Sequence, residues 1–308
     1  MRRRLTLAIP LLVLVHLLGY GYALLARRIQ DEQSPFRAPA GASIPAEIVA
    51  HVDAVLHGEF GALPQNQGAV LDVVVAALGR SMLVLLPAFV VAVTAGILLG
   101  LAAARHNPSR ISGWLLPFTT LLLATPSFYI GVLLIALLVM LAFDVVPVQG
   151  SWLWPALVLA LRPAAQIAQF SANLIVAESD KQYIVAARGI GHSFSSARRA
   201  HIFPNVAALV VNGLAGVFRL LAAELVIVEW LFNWPGIGRL LGMVLIVPRR
   251  TDAAALVFLH PELAAMTFTA LALLFVIADL ATHVATNAAD PRLHKVTEFD
   301  VQRKVRPI

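Results

Sequence analysis

The chain has 308 residues, of which 59% are hydrophobic and only 13% are charged, a composition that excludes an ordinary water-soluble globular protein. It contains no cysteine, which excludes disulfide bonds, thiolate metal sites and a cysteine nucleophile. The net charge of +6 comes from basic residues in short segments beside apolar runs, and no basic run is interleaved with aromatic residues, so we expect no nucleic-acid partner.

Six apolar segments are long enough to cross a bilayer core, which takes roughly 20 helical residues. The predicted spans are Leu5–Ala26, Ser81–Ala104, Leu115–Phe143, Trp152–Ala177, Asn205–Leu231 and Leu263–Thr282. The third is too long for one perpendicular helix, so Leu115–Thr125 is predicted to lie obliquely or at the interface, with a bend at Pro126. The sequence therefore predicts an all-α integral membrane protein with six transmembrane helices.

The first span follows three arginines and resembles a secretory signal, but its apolar run is longer than the roughly 7 to 15 residues of a signal core. We therefore expect a retained helix. If the N-terminus is cytoplasmic, most of the 23 Lys and Arg residues fall in cytoplasmic segments, which predicts that both termini are cytoplasmic. His16, inside this span, has no second ligand at i+3 or i+4 and is expected to be packed or hydrogen-bonded rather than metal-binding.

The longest polar stretch, Arg27–Arg80, contains four prolines and predicts an outer cap with one short amphipathic helix at Ala46–Leu56 and another at Val70–Leu78. A passive linker is the alternative. The predicted division is residues 1–80 for the first helix and cap, 81–287 for the transmembrane core, and 288–308 for a cytoplasmic tail.

The second span carries Gly96 and Gly100, a small-xxx-small pair that allows another helix to approach closely in lipid. We expect this pair to pack against a helix of the same chain, with a subunit interface as the alternative.

A charged segment of about residues 177–204 separates the fourth and fifth spans. Glu178–Arg188 is compatible with a helix, Gly191 suits a left-handed helix end, and Ser193 is a candidate cap for a second helix. A short amphipathic helix there can fit a groove on a partner protein or lie on anionic lipid, and the pattern alone does not separate the two.

Six residues of this segment resemble the cytoplasmic signature loop of binding-protein-dependent ABC importer permeases: Tyr183, Ala187, Arg188, Gly191, His201 and Asn205. The segment after the fifth span is similar to that of dipeptide, oligopeptide and nickel permeases through Glu229, Phe232, Trp234, Pro235, Gly236 and Gly238. Pro126-Ser-Phe128, Asp279 and Asp290-Pro291-Arg292 also match. The usual proline a few residues past the asparagine is absent here, where Leu209 stands.

The resemblance implies a type I importer permease with a cytoplasmic coupling helix between the fourth and fifth spans, in a bacterial inner membrane. It implies a second homologous permease, two ABC ATPase subunits and an extracytoplasmic solute-binding protein as partners. The solute would be a peptide or a related small molecule. This sequence has no Gly-x-x-x-x-Gly-Lys-Ser/Thr phosphate loop, so ATP and Mg are expected on the ATPases, with no cofactor or catalytic site on this chain.

Charged residues inside predicted spans cost about 2.5 to 3.5 kcal/mol each on insertion scales and need water or a partner. Arg219 and Glu224 are candidates for the solute path. Alternatively, Arg219 or Arg162 pairs with a carboxylate, while Glu229 and Asp279 are solvated near the interface; the two predictions stay open. Such carboxylates also suit an ion-coupled secondary transporter, but those proteins usually contain inverted repeats, and we see none here.

Overall fold

The computed structural model describes residues 2–33, 43–64, 68–104, 111–141, 150–246 and 257–289. Within these ranges the helices are α1 Arg2–Gln33, α2 Ile44–Leu56, α3 Val70–Ala103, α4 Leu115–Ala124, α5 Ser127–Met140, α6 Leu153–Ser179, α7 Gln182–Gly189, α8 Phe194–Ala197, α9 Phe203–Leu231, α10 Ile237–Leu245 and α11 Pro261–Ala289. A π-helical turn at Arg198–Ile202 joins α8 to α9. The described part of the chain is thus helical, as the sequence predicts.

Among the described residues, three helical stretches are long and apolar enough to cross a membrane: Thr6–Glu32, Val70–Ala103 and Pro261–Ala281. The number rises to five if two bent helix pairs each make one crossing. Helix α6 is outside this set, although it has 27 residues, because Arg162 and several amide side chains lower its hydropathy. The six-span arrangement therefore stays a prediction.

The third predicted span breaks at the predicted proline. Helix α4 ends at Ala124 and α5 begins at Ser127, with a bend of 94° between them. The guanidinium of Arg162 donates a hydrogen bond to the Leu123 carbonyl at 3.2 Å. Carbonyls in the last turn of a helix have no partner within the helix, so Arg162 stabilises the end that Pro126 creates.

The chain divides into two compact units. The first consists of Met1–Leu85, Gly131–Pro155 and Glu224–Val276, and the second of Leu86–Ile130, Ala156–Ala223 and Ile277–Ile308. Each unit is therefore assembled from segments far apart in sequence.

In the first unit, His16 joins α1 to α2 and α11. The Thr269 hydroxyl donates to the Ala265 carbonyl at 2.7 Å and so accepts from Nδ1 of His16 at 2.9 Å. Nε2 of His16 then accepts from Nε2 of His51 at 3.0 Å, and the Tyr20 ring stacks on His51 with centroids 3.8 Å apart. The expectation of a hydrogen-bonded His16 is confirmed.

The predicted helix of the outer cap, Ala46–Leu56, forms as α2 and is attached to α1 by an ion pair of 2.6 Å between Arg28 and Glu47. The prediction of a separate helix at Val70–Leu78 was wrong, since this stretch is the beginning of α3. One glycine inside a helix costs only about 1 kcal/mol, so Gly79 does not interrupt it.

In the second unit, α3 packs against α6 through the predicted glycine pair. A Cβ atom at Gly96 would lie 2.6 Å from Cβ of Ile167, and one at Gly100 would lie 2.0 Å from Oγ of Ser171. Both positions lack space for any side chain, so packing within the chain is confirmed.

Candidate functional site

The segment between α6 and α9 is organised around the carboxylate of Glu178, which is only 6% exposed. Its Oε1 accepts hydrogen bonds from the Tyr183 hydroxyl at 2.5 Å and from Nδ2 of Asn205 at 3.2 Å, while Lys181 lies 2.6 Å from Oε2. Nδ2 of Asn205 also lies 3.0 Å from the Tyr183 hydroxyl. This Glu178 cluster ties the end of α6, the start of α7 and the start of α9 together.

The cluster also fixes the charge of the carboxyl group. Burial raises the pKa of Glu178, but hydrogen bonds from Lys181, Tyr183 and Asn205 outweigh burial and hold it below its ordinary value. The ionised Glu178 carboxylate therefore stabilises the folded protein fully above the ordinary glutamate pKa. This stabilisation is lost as the pH falls through the lowered pKa of Glu178.

Three of the six predicted loop residues meet at this cluster. Besides Tyr183 and Asn205, the ring of His201 packs edge-on against Tyr183, with centroids 6.3 Å apart and planes at 82°. The sequence analysis missed Glu178 as the centre. Its signal was present in the sequence, because a carboxylate directly after an apolar span needs hydrogen-bond partners once it is buried.

The inner face of α7 is anchored in an apolar core. Ile184 is 1% exposed and the predicted loop residue Ala187 is also buried. Ile184 belongs to a cluster with Ile175 of α6, Ile202 of the π-helical turn and Val206 of α9. Helix α7 therefore cannot tilt without disturbing the helices on both sides of it.

The outer face of α7 presents apolar and basic side chains to solvent. Val185 is 62% exposed, the predicted loop residue Arg188 is exposed as well, and Ile190, directly after the last residue of α7, is 80% exposed. We call this group the α7 outer face. Apolar side chains next to an arginine, on a helix held in place from behind, suit contact with a protein groove.

Gly191 ends this helix in the left-handed conformation that the sequence predicts, with a φ of 99°. Its N–H donates to the Arg188 carbonyl at 3.1 Å, and that of His192 donates to the Ala187 carbonyl at 3.2 Å. The predicted cap is confirmed too, since Oγ of Ser193 accepts from the N–H of Ser196 at 3.2 Å.

The second set of predicted motif residues, from Glu229 to Gly238, lies in the first unit and connects α9 to α10. Glu229 is fully buried, and its Oε2 accepts from the N–H of Gly238 at 2.7 Å in the first turn of α10. Nε1 of Trp234 donates to the Arg80 carbonyl at 3.0 Å, and Oγ of Ser81 accepts from the N–H of Ile237 at 2.8 Å. The expectation that Glu229 is solvated near the interface was wrong, because the start of α10 folds back over it.

The glycines of this group leave room for that carboxylate. A Cβ atom at Gly236 would lie 2.2 Å from Oε1 of Glu229, and one at Gly238 would lie 2.4 Å from Cα of Val226. Phe232, 1% exposed, precedes the turn, and Pro235 lies within it. These motif residues therefore shape a tight connection between helices.

The two candidates for the solute path belong to different units and are described separately. In the second unit, Nη1 of Arg219 lies 3.4 Å from Oδ1 of Asp279 on α11, so the pairing alternative for Arg219 is observed. In the first unit, Glu224 is partly buried on α9. The predicted Asp290-Pro291-Arg292 match lies outside the described residues.

Comparison with known proteins gives consistent matches to membrane transport components. The family described as "Binding-protein-dependent transport system inner membrane component" matches residues 96–295, a range that contains both predicted groups. A putative peptide transport system permease protein of Brucella suis biovar 1 is 28% identical over 219 residues, 67% of this chain and 66% of the relative. A glutathione transport system permease protein of Salmonella typhi is 28% identical over 201 residues, 62% of this chain and 64% of the relative. The chain thus spans about two thirds of the length of these curated relatives.

Proposed function

Since the chain belongs to the family of binding-protein-dependent transport system inner membrane components, we propose that it is the membrane-spanning permease subunit of an ATP-binding-cassette importer. It forms half of a translocation path with a second homologous permease, and two ATPase subunits drive it. A solute-binding protein outside the membrane delivers a peptide or a related small solute, in line with the names of the peptide and glutathione relatives.

The observation that carries this proposal is the Glu178 cluster. It holds α7 against the ends of α6 and α9 while the α7 outer face stays exposed. An ATPase that binds this face and moves during its cycle would pull on both neighbouring helices, because Glu178 lies on α6 and Asn205 on α9. In this proposal α7 is the coupling helix, and movement of α6 and α9 opens and closes the path.

The proposal places six crossings in the membrane, with α6 as the fourth and both termini in the cytoplasm. The polar side chains of α6 are compatible with a crossing because much of the helix is covered by protein: Val158, Ala165 and Ala168 have no exposed surface. Polar side chains in membrane spans face the protein interior rather than lipid, so a helix that is covered by protein can carry them.

Reconstitution tests the proposal. The chain, purified from native membranes with its associated subunits and placed in proteoliposomes, should take up a dipeptide or glutathione only when the binding protein and ATP are both supplied. The chain reconstituted alone should take up neither. Uptake by the chain alone on an ion gradient would contradict the proposal and favour a secondary transporter.

Gly191 tests the role of α7 within the complex. A β-branched residue is strained by about 1–3 kcal/mol at a φ of 99°, so Gly191→Val should displace the end of α7. We expect ATP-driven uptake to fall at least tenfold while ATP hydrolysis continues and the amount of assembled complex stays the same.

The matched control is Gly189→Val, two residues earlier. Gly189 lies within α7, and a Cβ atom there, as at Gly191, meets no atom within 4 Å. The control should keep most of its uptake. Equal uptake by the two variants would show that the left-handed helix end is not needed for coupling.

A further inference from the structure

A partly exposed ion pair joins the segments of α9 and α11 that belong to the second unit. Nη1 of Arg219 on α9 is 3.4 Å from Oδ1 of Asp279 on α11, and the two side chains are 52% and 39% exposed. Asp279 falls inside the apolar stretch Pro261–Ala281, and Arg219 lies near the middle of α9. Both residues therefore fall within predicted membrane spans, and the pair is open on one side.

The exposed side of the Arg219–Asp279 pair is unsuited to contact with lipid. Ionisable side chains within transmembrane segments face the bundle interior or a water-filled cavity. An arginine on a lipid-facing surface extends its guanidinium along the helix towards the interface, whereas the guanidinium of Arg219 contacts a carboxylate on the neighbouring α11. The neighbouring Phe218 packs edge-on against Phe89 of α3, with centroids 5.7 Å apart, which further fixes α9 at this level.

Burial of this ion pair against an apolar protein surface without water is also unfavourable. The contact joins one guanidinium nitrogen to one carboxylate oxygen, and a guanidinium has five N–H donors. Covering the exposed half of Arg219 with an apolar partner would remove water from donors that need it. Water, or a solute with its own charges, satisfies them.

We propose that Arg219 and Asp279 line the water-filled solute path and bind the two opposite charges of a zwitterionic, peptide-like solute. Arg219 receives the carboxylate, for which a guanidinium has matching paired donors, and Asp279 receives the ammonium group. The pair is closed when the path is empty and separates as the solute enters. This inference rests on the proposed importer function and adds two binding residues and the charge pattern of the solute to it.

Access to water is the first test. Because the chain has no cysteine, Ala223→Cys introduces a single thiol on the exposed surface one helical turn beyond Arg219. A charged methanethiosulfonate reagent, which needs a hydrated thiolate, should modify this thiol in the assembled complex, and dialanine with ATP should change the rate at least threefold.

The matched control is Leu98→Cys on α3, which is 65% exposed on an apolar surface. This thiol should react at least tenfold more slowly than that of Ala223→Cys. Equal rates at the two positions would overturn the inference, because the surface around Arg219 would then be no more hydrated than the exposed apolar surface of α3.

Charge exchange is the second test, measured as ATP-driven uptake of dialanine per assembled complex. Arg219→Gln and Asp279→Asn should each lower uptake at least tenfold with normal assembly, and Arg219→Lys should retain more than Arg219→Gln. The exchanged variant Arg219→Asp/Asp279→Arg should assemble but stay inactive, because each charged group of the solute would now meet a residue of the same charge.

Each result has one meaning. Restored uptake in the exchanged variant, or loss of assembled complex in the single variants, assigns the pair a structural role and overturns the inference. Absence of ATP-driven uptake of both dialanine and glutathione by the unsubstituted complex would instead contradict the proposed function, so the two failures are distinguishable.

Discussion

At the scale of single residues, two glycines illustrate two different reasons for having no side chain. Gly191 has a φ of 99° in open space, so only its backbone conformation requires glycine. Gly236 has an ordinary φ of −95°, but a Cβ atom there would lie 2.2 Å from the Glu229 carboxylate. The first position is sensitive to backbone strain and the second to volume.

Gly236→Ala should therefore destabilise the folded protein even though alanine is the smallest change available. The added methyl group displaces Glu229 from the first turn of α10, and overpacking of this kind costs about 1–3 kcal/mol. We expect a lower midpoint of thermal unfolding in detergent and a smaller monodisperse fraction in size-exclusion chromatography.

Gly21→Ala is the matched control for this change, because Gly21 lies in α1 and a Cβ atom there meets no atom within 4 Å. It should be neutral or slightly stabilising, since alanine favours a helix by roughly 0.5–1 kcal/mol. A Gly236→Ala variant as stable as Gly21→Ala would show that Glu229 can move at little cost.

At the scale of helices, the contact of α3 with α6 depends on close approach rather than on large apolar side chains. Gly96 and Gly100 bring the α3 backbone within reach of the Ala164 and Ala168 carbonyls, 2.8 and 2.9 Å from the added Cβ positions. The polar pair Gln169–Thr119, at 2.6 Å, joins α6 to α4. Helices in lipid associate through such packing and hydrogen bonds because burial of apolar surface between them gains little.

Gly100→Leu should separate α3 from α6, since even a Cβ atom lies 2.0 Å from Oγ of Ser171. The expected cost is about 1–3 kcal/mol or more, seen as a lower unfolding midpoint in detergent. Gly79→Leu, on the same helix but with open space at the Cβ position, should leave the midpoint nearly unchanged. Similar midpoints for both variants would contradict this account of the α3–α6 contact.

At the scale of the whole molecule, the proposed topology puts the α7 outer face in the cytoplasm and the cap helix α2 outside. Single cysteine substitutions test this topology without labelling at other positions of the chain, because the chain contains no cysteine. In cells with a permeabilised outer membrane, an impermeant maleimide should label His57→Cys, which follows α2, but not Ile190→Cys. Permeabilising the inner membrane of cells that lack the ATPase subunits, which would otherwise cover this face, should then expose Ile190→Cys.

The reverse labelling pattern would contradict both the orientation and the docking role of α7. Labelling of both positions in intact inner membranes would contradict a cytoplasmic α7 as well. Both sites are exposed in the folded chain, at 80% for Ile190 and 70% for the side chain of His57, so burial within the chain does not account for a failure to react.

Local features of the fold followed from the sequence because their causes are local. Pro126 removes a backbone donor and ends α4, and Gly191 supplies a left-handed helix end. The continuation of Val70–Leu78 into α3 was not predicted, since one glycine is too weak a signal to decide between a break and a continuous helix.

The sequence by itself determined that this is a helical membrane protein and where its apolar segments lie, because hydropathy and helix ends depend on neighbouring residues. Only the tertiary structure decided which charges meet: Glu178 with Lys181, Tyr183 and Asn205, Arg219 with Asp279, and Glu229 beneath α10. Glu178 and Asn205 are 27 residues apart along the chain, and Arg219 and Asp279 are 60 apart. Their contacts depend on how helices pack in space, which no local pattern encodes.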